Sequence, residues 1–203
     1  MEEKPEGGIR IVTILGTSRP GNFTAKALAL VLDELDQQSR VQVTSIDPAR
    51  LTLPFPGQQG AFPDQQTLQS AVRDATGVVL ATPEYHGGFA AMMKLLIENL
   101  GFPSLLAGKP VALLGVAAGQ IGAIKSLEQL RSVCSHVGAI VLPGPVSVAG
   151  VQKLFDSEGH CLDKGVEGRI RGLATGLVDY IQGSVCPRMA LEQMVRAQDE
   201  KAS

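Results

Sequence analysis

The chain has 203 residues, a formal net charge of −2, 44% hydrophobic residues and 19% charged ones. That balance can bury a substantial core and excludes a disordered or fibrous chain. It offers no basic field for phosphate backbones or anionic lipid, so neither nucleic acid nor a membrane is expected as a partner.

The N-terminus, MEEKPEGG, is acidic and polar where a secretory signal needs a basic start and an apolar stretch, so a cytoplasmic protein is expected. Residues 1–8 are read as a flexible N-terminus, 9–182 as one domain and 183–203 as a tail. Ile9 to Leu15 is rich in β-branched residues and stops at Gly16, the pattern of a strand buried on both faces. Leu28, Val31, Leu32 and Leu35 then repeat at helical spacing. The alternation continues with a strand over Val41 to Ile46, a helix over Asp64 to Ala75 and a strand over Val78 to Thr82. A helix over about Ala90 to Leu100, a strand over Val111 to Val116 and a helix over about Gly122 to Val137 follow. A strand over Ala139 to Leu142 and a helix over about Lys164 to Ile181 complete the series. The stretch from Pro48 to Pro63 carries four prolines and reads as a long loop. From Cys186 the tail either adds a short amphipathic helix using Met189, Met194 and Val195 or frays.

Five strands alternating with five helices give an α/β fold. Parallel neighbours need crossovers, and right-handed crossovers place helices on both faces of a doubly wound sheet. Such sheets bind ligands outside the carboxyl ends of their central strands. The first loop there is Gly16-Thr17-Ser18-Arg19-Pro20-Gly21-Asn22-Phe23-Thr24. Its hydroxyls, backbone amides and guanidinium at a helix N-terminus suit a phosphomonoester. It has neither the lysine of a Walker A loop nor the second glycine of a dinucleotide fingerprint. The plainer alternative is that Ser18, Asn22 and Thr24 only cap a helix.

The second loop, Thr82-Pro83-Glu84-Tyr85-His86-Gly87-Gly88-Phe89, allows close backbone approach at its glycines, and Tyr85 offers a flat contact face. Glu84 and His86 make no recognisable acid/base pair, so no catalytic residue is assigned. The third loop, Ala117-Ala118-Gly119-Gln120-Ile121-Gly122, is lined by small residues that fit a flat ligand without naming it. Cys134, Cys161 and Cys186 are too widely spaced for a framework and read as free structural thiols; with His86, His136 and His160 scattered, no metal site is expected. The helix after Gly88 has more apolar positions than one core stripe uses, namely Met92, Met93, Leu95, Leu96, Ile97 and Leu100. It either serves a homo-oligomer or lies under the proline-rich loop.

Together these segments resemble the NAD(P)H-dependent FMN reductase family, whose relatives include quinone, azo-dye and chromate reductases. Gly16-Thr17-Ser18-Arg19 with Asn22 and Thr24 is similar to that family's phosphate loop, and Thr82-Pro83-Glu84-Tyr85-His86-Gly87 to its T-P-E-Y-N-x-[SG] loop. The sequence departs from the family at Asn22 and Thr24, at His86 in place of Asn, and at Ala118 in place of Ser. The resemblance implies a flavodoxin-like sheet of strand order 2-1-3-4-5 binding FMN. The implied FMN contacts are Thr17, Ser18, Arg19, Asn22, Phe23, Thr24, Pro83, Glu84, Tyr85, His86, Gly87, Ala118 and Gly119. It further implies NADPH or NADH as co-substrate, a ping-pong cycle delivering two electrons to a small acceptor, and a homodimer or homotetramer. Flavodoxin-type electron carriers share the fold and cofactor, but usually sandwich the ring between aromatics; this chain has no Trp and two Tyr. A flavin-free interaction scaffold is the third reading.

Overall fold

The computed structural model, which describes residues 8–202, sets β1 (Ile9–Leu15) between two parallel neighbours, β2 (Val41–Ile46) and β3 (Gly77–Tyr85). Beyond β3 lies β5 (Pro110–Val116), and the fifth position is shared by β6 (Ile140–Val141) and β7 (Val146–Val148). The path β2-β1-β3-β5-β6 is the expected 2-1-3-4-5 order. The sheet has seven strands rather than five because the fifth is split and because β4 (Gly88–Phe89) pairs antiparallel with the end of β3. Pro143 and Pro145 lie in the interruption between β6 and β7, where a residue without an N–H cannot feed the ladder. The stretch Ala139 to Leu142 captured only the first half of that strand.

Adjacent strand residues point to opposite faces, and each face carries its own core. Ile11, Val79, Ala81, Ala112 and Leu114 face α1 (Phe23–Asp36) and α5 (Lys164–Tyr180). Val12, Ile14, Val78, Leu80, Val111 and Leu113 face α2 (Pro63–Asp74), α3 (Ala91–Glu98) and α4 (Ile124–His136). Arg171 of α5 reaches Asp33 at 2.5 Å and Glu34 at 3.5 Å on α1, clamping the two helices of one face together.

The proline-rich segment holds only a short turn of 3₁₀ helix at Pro48–Arg50. Asn99 Nδ2 donates to Pro54 O at 3.1 Å, so the loop covers the end of α3. Met93, Leu96, Ile97 and Leu100 are buried within the chain, while Met92 and Leu95 are half-buried. After α5, a π turn at Ile181–Val185 leads into α6 (Cys186–Ala202). Cys186 N–H donates to Ile181 O, five residues back, immediately before Pro187, which has no N–H to give. The wider turn is how the helix accommodates that proline. No helix of the described residues is long and apolar enough to cross a membrane.

Candidate flavin site

Gly16 brings β1 against its neighbour at the sheet's carboxyl edge. Its N–H donates to Ala81 O at 2.7 Å, and a Cβ there would stand 2.8 Å from both Ala81 O and Met93 Cε. The chain then bends into the first loop. Thr17 is buried and its Oγ1 accepts from Arg19 N–H at 3.3 Å, so this hydroxyl shapes the loop. Asn22 is the N-cap of α1: Oδ1 accepts from Ala25 N–H at 2.7 Å while Nδ2 donates to Arg19 O at 2.7 Å. Both a cap and a brace for Arg19 come from one side chain. The amides of Phe23 and Thr24 lie at the helix start, where no intrahelical acceptor exists. No acidic residue occupies that first turn, so no carboxylate there offsets the positive end of the helix.

The second loop is a β-hairpin. Strand β3 runs three residues past Thr82, and Glu84 pairs with Phe89 and Tyr85 with Gly88. The two residues between, His86 and Gly87, have φ of 51° and 74°. Two left-handed residues make the type I′ turn that matches the twist of paired strands. Glycine adopts that conformation freely, and His is one of the few other residue types enriched in it. Thr82 Oγ1, buried, accepts from Ala90 N–H at 3.1 Å and closes the base of the hairpin.

The third loop is fastened to the chain leaving β7. Ala117 N–H donates to Val148 O at 2.9 Å, Val151 N–H to Ala117 O at 3.1 Å and Gly150 N–H to Gly119 O at 3.0 Å. This stitching brings Val151 and Gln152 beside Ala117 and Ala118.

Between the three loops opens a cleft of about 340 Å³. Arg19, Asn22, Phe23 and Thr24 line it from the first loop, Pro83, Glu84 and Tyr85 from the second, and Ala118 from the third. Of the other expected residues, Thr17, Ser18, His86, Gly87 and Gly119 are in the same loops but off the cleft wall. Val151 and Gln152 join the wall unannounced, since they follow the half-strand that the prolines concealed. Arg19 lies 5.7 Å from the Tyr85 ring centroid, across the cleft mouth. Two larger grooves, of about 670 and 830 Å³, lie elsewhere and lack this meeting of helix N-terminus, cation and hairpin.

The residues present fit FMN. The α1 N-terminus with an adjacent guanidinium suits the phosphate, and the cleft volume is within the roughly 300–1,000 Å³ of small-molecule sites. Residues 9–153 match the family model for NADPH-dependent FMN reductase. The chain belongs to that family. A quinone reductase of Escherichia coli (strain K12) is 30% identical over 183 residues, covering 86% of this chain and 96% of the relative. An NADPH azoreductase of Bacillus sp. (strain OY1-2) is 30% identical over 146 residues, covering 70% and 78%. The flavoenzyme NAD(P)H:(acceptor) oxidoreductase of Paracoccus denitrificans shares the fold with a TM-score of 0.71 at 22% identity, over 86% of this chain and 98% of that one. The protein is therefore an oxidoreductase that uses FMN and a nicotinamide nucleotide.

Proposed function

We propose that FMN lies in the cleft between α1 and the β3–β4 hairpin and that the enzyme passes two electrons from NADH or NADPH to a small quinone or azo acceptor. The observation that carries this is the meeting of Arg19 and the α1 N-terminus with Tyr85 and the hairpin backbone around one opening. Arg19, with the amides of Phe23 and Thr24, would hold the phosphate. Asn22 sets the loop that aims them. Tyr85 would lie against the ring system, while backbone groups of Tyr85 and Ala118, which line the cleft, would meet its pyrimidine edge. When bound, FMN supplies the hydride and electron chemistry; the protein supplies position and electrostatics. No protein acid or base is assigned.

The acceptor class follows from the quinone and azo reductases to which the chain is similar. A nicotinamide-dependent reaction agrees with a cytoplasmic location. Self-association is supported by Phe55 and Phe102, 65% and 98% exposed, beside the groove over the end of α3.

Steady-state rates with FMN-loaded protein, varying NADPH or NADH against a benzoquinone and an azo dye, test this proposal. Parallel double-reciprocal lines with either acceptor are expected. Intersecting lines would overturn the ping-pong order, and reduction without turnover of any acceptor would point to a carrier.

A further inference from the structure

Helix α4 begins without a cap of its own. Its N-cap position is Ala123, which makes no side-chain hydrogen bond to the helix, and its first turn has no acidic residue. The amide of Ser126 is met instead by Glu84 Oε2 at 3.1 Å, from 42 residues away in the chain. A carboxylate on a helix N-terminal amide gains from both the charge-assisted bond and the helix dipole. Further along α4, Gln129 Nε2 donates to Gly87 O at 3.1 Å. The hairpin is thus tied to α4 near its root through Glu84 and at its tip through Gly87. The same helix start is fixed from the other side, where Ala123 N–H donates to Ser147 Oγ at 2.9 Å.

These ties matter because β4 has two residues and a two-stranded ribbon has little stability alone. We propose that Glu84 is a positioning residue: by capping α4 at Ser126, its carboxylate holds the β3–β4 hairpin where Tyr85 and the hairpin backbone meet the flavin. This rests on FMN lying in the cleft. Glu84 acts through the hairpin, and Gln129 shares the task.

The test is FMN affinity of Glu84→Ala, Glu84→Gln, Gln129→Ala and the Glu84→Ala/Gln129→Ala double variant, with amide hydrogen exchange on the same proteins free of flavin. Glu84→Ala is expected to speed exchange in the hairpin and the first turn of α4 together, and to weaken FMN by about tenfold or more. Glu84→Gln keeps an oxygen acceptor and should recover most of that loss. Gln129→Ala should weaken FMN in the same direction, and the double variant by less than the product of the singles, since both ties hold one element. Wild-type FMN affinity in Glu84→Ala, or unchanged exchange at its hairpin and α4 start, would overturn the proposal. So would a weakened Glu84→Ala beside a Gln129→Ala of wild-type affinity, because that pattern marks direct contact with FMN. If Glu84→Ala does not fold, Gln129→Ala decides: weaker FMN binding with faster hairpin exchange is expected, and wild-type affinity and exchange in that variant would overturn the proposal. A wild-type protein that binds no FMN would overturn the cofactor assignment beneath it, whereas normal wild-type binding with unaffected variants overturns this proposal alone.

Discussion

Arg19 and Tyr85, 66 residues apart in sequence, meet across the cleft mouth, with the guanidinium 5.7 Å from the ring centroid and Nη1 3.5 Å from the phenol oxygen. Arg19→Ala should weaken FMN binding by about 1–3 kcal/mol, the scale of a hydrogen bond to a charged group. Arg19→Lys should be intermediate, because an ammonium keeps the charge but not the planar fork. A fluorescence titration of FMN reads both; unchanged affinity in Arg19→Ala would remove Arg19 from the phosphate site.

Gly16 has no room for a side chain. Gly16→Ala sets a methyl 2.8 Å from Ala81 O, a backbone atom held in the sheet, and from Met93 Cε. Destabilisation of about 1–3 kcal/mol is expected, seen as a lower urea midpoint with an unchanged slope. Wild-type stability would mean that β1 and β3 separate more easily here than their hydrogen bond implies.

His86 tests the hairpin turn by itself. At φ 51° a β-branched replacement is strained, so His86→Val should lose about 1–2 kcal/mol. His86→Asn should be neutral or slightly stabilising, because Asn tolerates the left-handed region best after glycine. Urea unfolding of the flavin-free proteins separates this effect from any contact with cofactor.

Burial pushes the Cys134 thiol up from 9.0 to about 12. The folded state therefore keeps a proton that the unfolded chain releases. The contribution is fully present below pH 9 and is lost as pH rises towards about 12. Cys134→Ala should lower stability at neutral pH by leaving a cavity, yet show a shallower further loss over that alkaline range. Parallel losses in the two proteins would assign the alkaline transition to other groups. Cys186, exposed, should be alkylated in the folded protein while Cys134 is spared.

Much of the architecture was legible because buried parallel strands write themselves as short apolar runs. Ile9 to Leu15 and Val111 to Val116 gave two strands with little error, and the spacing of Leu28, Val31 and Leu35 gave the buried stripe of α1. The fifth strand was only half legible. Pro143 and Pro145 break its pattern, β7 keeps three residues, and the Val151–Gln152 side of the cleft disappeared with it. Within the loops, residue type gave the place but not the task. Thr17 carries a hydroxyl suited to phosphate yet turns it to Arg19 N–H. Glu84 makes no recognisable acid/base pair with its neighbours in sequence, and its partner Ser126 lies on another element that no local spacing could reveal.

The anaerobic visible spectrum of the protein with one equivalent of FMN, before and after NADPH or NADH, tests the cleft assignment most directly. Gel filtration should carry yellow flavin with the wild-type protein and much less with Arg19→Ala, and a nicotinamide should bleach the bound flavin in a single two-electron step. Wild-type protein that elutes colourless, or flavin that stays yellow with both nucleotides, would contradict the site and its chemistry.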